Sequence, residues 1–248
     1  MTDFLGRDRW EQRFYTAVQG VQRDTLARVM GTIREVGGWS GGSPDLWREY
    51  DADLRAALFP LLEGVYMDAA KQTLGESTIG VEWMLVNQRA ADWARGYGFD
   101  LVRKIGDTTR DRLQRTISRY FEEQRTMGVL RADIEKFIPD LRTRLGRFIF
   151  ARERASMIAS TEVTRASAEG QAGLVAEIKT ENPDVRMIGL WFTNADELVC
   201  PICRPLNGQQ KTAMGYAVGG RTIQRPPAHV RCRCWENYQF IMPRRKRG

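Results

Sequence analysis

The chain has 248 residues, 42% of them hydrophobic and 28% charged, which suits one sizeable domain or two small ones and excludes a disordered chain. No run approaches the ~18 apolar residues of a membrane span, and the opening "MTDFLGRDRWEQRF" lacks the apolar stretch of a signal peptide, so a reducing cytoplasm is the expected setting. The net charge of +7 is local: from Arg221 to Gly248 eight basic residues face one acid, Glu236, while basic and acidic residues balance over the rest.

Residues 8–35 place Trp10, Phe14, Val18, Val21, Thr25 and Val29 on one helical face. "GGWSGGSP" (37–44) reads as a loop, and Ser43 before Pro44 as a helix start, with the hydroxyl capping free amides. The next helix carries Trp47, Tyr50, Leu54, Leu58, Leu61, Leu62 and Val65, with a kink expected at Pro60 and an end at "GESTIG" (75–80). From Val81 to about Lys179 the pattern is helical again, with breaks expected near Gly106 and Gly128. Leu113, Ile117 and Phe121 form one face; Ile134, Phe137, Ile138, Leu141, Leu145 and Phe148 form another. The small residues of "ARERASMIASTEVTRASAEGQAGLVAEI" (151–178) predict close packing against neighbouring helices, and "ENPD" (181–184) ends the helical part. "RMIGLWFTN" and "CRCWENYQF" then read as two strands.

The expected class is therefore mainly α, α+β overall: an elongated helical body followed by a small loop-rich β module. The expected divisions are an N-terminal helical unit (1–78), a second helical part (79–182), the β module (183–241) and a basic tail (242–248).

A module of some 60 residues with two short strands builds little core of its own and needs a staple. All four cysteines (Cys200, Cys203, Cys232 and Cys234) and the sole histidine, His229, lie within 35 positions of that module. The C-x-x-C pair puts two thiolates on one turn, and His229 with Cys232 repeats the same gap, so four of these five residues are candidate ligands of a structural Zn2+. Two other readings stay open: reduced cysteines with His229 bonded in a turn, or a disulfide formed in an extracellular particle. Catalysis fits less well. A zinc deaminase needs H-x-E upstream of P-C-x-x-C, whereas here the histidine lies downstream and no glutamate follows it two residues on. Thr161, Glu162, Arg165, Asp196 and Glu197 read as ion-paired or exposed groups rather than acid–base catalysts, and there is no P-loop, G-x-G-x-x-G or G-x-S-x-G. No enzymatic activity is expected. Arg231, Arg233, Arg244, Arg245, Lys246 and Arg247 are candidate contacts to nucleic acid or a partner, against the alternative of a solvated tail.

The order of three pieces, "RASMIASTEVTRASAEG" (154–170), "LWFTNADELVCPICRPLNG" (190–208) and "PPAHVRCRCW" (226–235), resembles the phage head morphogenesis family, the minor capsid proteins typified by the F protein of phage Mu. The upstream "AADWARGYGFDLVRKIGDTTRDRLQRTI" (90–117) is similar to the helices that precede this signature, so the resemblance spans roughly residues 83–238. Ser160 departs from it, standing where arginine usually precedes the Thr-Glu pair. The resemblance implies a minor head protein associated with the portal vertex, acting in head assembly, DNA packaging or ejection. Its partners would be the portal protein, other head proteins and packaged double-stranded DNA; its place would be the virion, after assembly in the host cytoplasm. The alternative is a zinc-containing nucleic-acid-binding protein using the basic C-terminal region.

Overall fold

Apolar residues at three- and four-residue spacing give four long helices in the computed structural model, which describes residues 6–36, 42–75, 77–123, 149–194, 196 and 199–242. They are α1 (Arg7–Val36), α2 (Pro44–Leu74), α3 (Trp83–Glu122) and α4 (Ile149–Glu181). The Leu46 amide donates to the Ser43 hydroxyl at 3.2 Å, the cap expected from Ser43-Pro44. Helix α2 runs through Pro60 to Leu74 and stops where "GESTIG" begins.

The break expected near Gly106 is absent: α3 is continuous there. The glycine answers a packing demand instead. A Cβ at that position would lie 2.7 Å from Asp51 Oδ1, and the cost of one helical glycine, about 1 kcal/mol, is outweighed by the buried face of Val102, Ile105 and Leu113 around it. The break near Gly128, the face from Ile134 to Phe148 and the side chain of Phe121 lie outside the described residues.

The chain forms two compact units, each drawn from separate stretches. The expected divisions at 78/79 and 182/183 fall between α2 and α3 and just after α4.

Residues 12–60 and 95–156 make one unit. Phe14, Val18 and Val29 of α1, Trp47, Tyr50, Leu54 and Leu58 of α2, and Leu113 and Ile117 of α3 are buried, with Val21 half-buried. A polar link crosses this core. Thr109 donates its hydroxyl hydrogen to the Ile105 carbonyl (2.7 Å), which leaves its oxygen to accept from the Tyr50 hydroxyl at 3.1 Å. At the surface, Arg28 reaches Glu49 (3.1 Å) and Asp53 (2.9 Å).

Residues 1–11, 61–94 and 157–248 make the other unit. Tyr66, Ala70, Val86, Ala90, Leu174 and Ile178 form its helical core. The small residues of α4 act as the sequence predicts: a Cβ on Gly170 would overlap the Tyr66 carbonyl, and one on Gly173 the Tyr66 hydroxyl. Burial raises the Tyr66 hydroxyl to about 12. The two expected strands are β1 (Arg186–Phe192) and β4 (Trp235–Ile241), antiparallel in the register Arg186↔Ile241 to Phe192↔Trp235. Between them lie a short 3-10 helix (Arg204–Leu206) and a hairpin that the sequence reading missed, β2 (Tyr216–Val218) and β3 (Arg221–Ile223). Gly219 and Gly220 turn it, both at positive φ (54° and 74°), as a two-residue hairpin turn with the twist of its strands requires. No described helix is long and apolar enough to cross a membrane.

Replacing Gly170 by Ala is expected to destabilise the protein by about 1–3 kcal/mol, the usual cost of overpacking a dry contact. Gly96→Ala, at an exposed site of α3 where a Cβ meets nothing within 4 Å, is expected to be neutral or stabilising by up to about 1 kcal/mol. Urea denaturation of the two variants checks both.

Candidate metal centre

The pairing of β1 with β4 sets Phe192 opposite Trp235, so the segment leaving one strand and the segment entering the other start side by side. Cys200 and Cys203 lie on the first segment; His229, Cys232 and Cys234 lie on the second. Each folds back as a tight turn. The Cys203 and Arg204 amides donate to the Cys200 carbonyl at 3.1 and 3.0 Å, and the Cys232 amide donates to the His229 carbonyl at 3.1 Å. The Cys203 amide also donates to the Cys200 sulfur at 3.4 Å.

His229 Nε2 lies 3.0 Å from Cys200 Sγ and 3.1 Å from Cys203 Sγ. Its other nitrogen, Nδ1, lies 2.7 Å from the Val230 carbonyl, which accepts only, so Nδ1 donates there and Nε2 is the nitrogen turned to the sulfurs. A ligand histidine is ordinarily oriented this way, held by a carbonyl behind it. Cys203 Sγ is 3.8 Å from Cys232 Sγ. The five residues thus form two triads sharing Cys203: Cys200, Cys203 and His229, then Cys203, Cys232 and Cys234, with ligand atoms in each lying within 4.8 Å of one another. Cys203, Cys232 and Cys234 are buried, and Cys200 and His229 are half-buried.

The four cysteines are free, with the Cys203 and Cys232 sulfurs near each other across the two turns. The hydrogen bond between Cys203 and Cys232 drives their acidities apart, holding Cys232 far below the usual thiol range and Cys203 far above it. The donor set fits a soft cation. Two thiolates each about 2.3 Å from a tetrahedral zinc stand about 3.8 Å apart, the separation of Cys203 and Cys232, and imidazole with thiolates favours zinc over hard cations.

Helix α4 supports this cluster through residues that the sequence reading did not assign to it. Thr161 donates to the Met157 carbonyl (2.7 Å) and accepts the Arg231 amide (2.9 Å). Thr164, on the same helical face, donates to the Cys232 carbonyl at 2.6 Å and accepts from the buried Arg7 guanidinium at 2.8 Å. Gln171 donates to the Glu236 carbonyl at 2.9 Å. The Glu236 carboxylate is itself buried, and Lys211 (2.8 Å), Tyr216 (2.9 Å) and Tyr238 (3.3 Å) donate to it. Burial, reinforced by that carboxylate, pushes the Tyr216 and Tyr238 hydroxyls far above the usual phenol range. Trp191, with no exposed surface, packs on Cys203, Cys232 and Cys234.

Glu162 is buried beside Arg165 at 3.6 Å. Burial, opposed by Arg7 and a bond from Ser160, raises the carboxyl of Glu11. Among the candidate contact residues, Arg233 is engaged within the chain, gripping both oxygens of Asp196 at 2.9 and 2.7 Å. Arg231 is exposed. Arg244, Arg245, Lys246 and Arg247, like Glu197, lie outside the described residues. The pair of threonines three apart on one helix face was the available signal for the anchor; Arg7, Lys211 and Glu236 gave none.

Thr164→Val removes the hydroxyl's bonds to Cys232 and Arg7 together and is expected to cost about 1–3 kcal/mol, read as a lower midpoint of urea denaturation. Incubation with a strong chelator is expected to change the near-ultraviolet dichroism of Trp191 and Trp235 while leaving the helical far-ultraviolet signal nearly intact, because α1 to α4 bury their faces without the cluster.

No curated protein and no solved structure matches the chain. The sequence does match the family described as Phage Mu protein F like protein over residues 105–236, from within α3 to the second residue of β4. That span holds Thr161, Thr164 and all five candidate ligands, and it covers more than half of the chain. The protein belongs to the phage Mu F-like family of head morphogenesis proteins.

Proposed function

We propose that the protein is a minor head protein of a tailed bacteriophage, associated with the portal vertex and acting in head assembly and in DNA packaging or ejection. The observation that carries this is the family match, which takes in α4 and both ligand-bearing segments as one continuous stretch. The site supports a structural rather than a catalytic part. Thr161 and Thr164 are spent on anchoring a loop, Glu236 on holding Lys211 and two tyrosines, and Asp196 on Arg233. The role assigned to Zn2+ is that of a cross-link. Cys200, Cys203, His229 and Cys232 are the ligand set we favour, because His229 Nε2 faces the first two sulfurs and Cys232 stands at the tetrahedral distance from Cys203. Cys234 is then a buried neighbour of Cys203 and Cys232.

The competing reading, a free nucleic-acid-binding protein, draws on the basic excess after Arg221. Two of those cations are already committed, Arg225 to Glu169 and Arg233 to Asp196. Binding through the remainder would fall steeply with salt.

Quantitative mass spectrometry of DNA-filled particles and proheads is expected to find a few copies per particle, in fixed ratio to the portal. Absence from both particle types would remove the head assignment. In the purified protein, Cys203→Ser is expected to abolish bound zinc by elemental analysis, whereas Cys234→Ser is expected to keep one ion per chain. Loss in both variants would put Cys234 among the ligands.

A further inference from the structure

A tetrahedral zinc ion takes four ligands, and the cluster offers five. With Zn2+ on Cys200, Cys203, His229 and Cys232, the sulfur of Cys234 is left over, and it is neither remote nor exposed. It lies within 4.8 Å of the Cys203 and Cys232 sulfurs, which are themselves 3.8 Å apart, so the three sulfurs form a triangle. Cys203, Cys232 and Cys234 are 2%, 1% and 4% exposed.

The two ends of the cluster differ in chemistry. At one end an imidazole nitrogen joins the Cys200 and Cys203 sulfurs, and Cys200 and His229 are half-buried. That mixed nitrogen and sulfur set suits zinc. At the other end all three donors are sulfur, packed with Trp191, Leu206 and Tyr216, each of which has no exposed surface. The Trp191 indole N–H is buried in that packing with no hydrogen-bond partner among the described residues. A buried donor of this kind is better served by a neighbouring thiolate than by a thiol.

We propose that Cys203, Cys232 and Cys234 bind a second ion, copper(I), beside the zinc, with the Cys203 and Cys232 sulfurs shared between the two ions. Thiolates select copper(I), and this cation is satisfied by three sulfurs in a triangle, whereas zinc takes a fourth ligand. A thiolate sulfur keeps lone pairs after binding one ion and can bridge to another. The binding step is an exchange. The S–H bond of Cys234 breaks, its proton leaves to solvent, and a Cu–S bond forms. Copper stays in its +1 state, so no oxidant or reductant takes part. One positive charge replaces another and the buried centre keeps its net charge, sparing the interior the cost of a new uncompensated one. The inference rests on the zinc reading of the cluster and is independent of the head assignment.

The test is an anaerobic titration of the zinc-loaded protein with copper(I) against bicinchoninate, a competing copper(I) chelator, with the products weighed by native mass spectrometry. The expected product carries one zinc and one copper on the same chain, and Cys234→Ser carries zinc alone. Copper in place of zinc, or copper left entirely on the chelator, would overturn the second site. So would Cys234→Ser holding copper beside zinc as the unsubstituted chain does. X-ray absorption at the copper edge answers even where that variant does not fold. Three sulfurs are expected around the copper; an imidazole nitrogen among its ligands would place it in the zinc position and overturn the proposal. A chain that takes no zinc yet holds copper on three sulfurs would defeat the zinc reading and sustain the copper site.

Discussion

The small strand module depends on a hydroxyl that bonds in two directions. Thr164 takes a hydrogen from the guanidinium of Arg7 and gives its own to the carbonyl of Cys232, so three stretches of chain, 157 and 68 residues apart, meet at one atom. The module has two seven-residue strands, a hairpin of two three-residue strands and little apolar interior beyond Trp191, Leu206, Tyr216 and the cysteines. A unit of that size lacks the burial to fold unaided. It leans on α4 through Thr161, Thr164 and Gln171, and its own middle is closed by the buried carboxylate of Glu236 and the thiol and imidazole cluster.

This arrangement gives the family signature a physical reading. The threonine-rich helix and the histidine–cysteine turn are distant in sequence yet form the two halves of one joint, in which helix hydroxyls satisfy loop backbone groups that would otherwise be buried without partners. The small residues of α4 serve the same element from its other contacts, letting Tyr66 approach at Gly170 and Gly173. One helix thus holds the helical core of its unit and the strand module at once.

Much of this was legible in the chain itself, and the exceptions have physical causes. Helical faces such as Tyr50, Leu54 and Leu58 show because burial repeats with the helix period, and the thiol and imidazole cluster shows because soft side chains concentrated in one segment have few other uses. Gly106 misled because a local breaker signal is weaker than the packing of the turns on either side of it. The strands of the β2–β3 hairpin are three residues long, too short for any alternation to register, although its two glycines were plain. Arg7 could not be assigned to the cluster at all: nothing local to an arginine in the first turn of α1 indicates a threonine 157 positions away.

The register of β1 with β4 also bears on the order in which the protein is made. Strand β1, with Leu190, Trp191 and Phe192, leaves the ribosome more than 40 residues before Trp235 does. During that interval the strand lacks its β4 partner, and the backbone it can pair with is the stretch from Gly208 to Lys211. Nascent chains stalled within this window would expose a sticky edge.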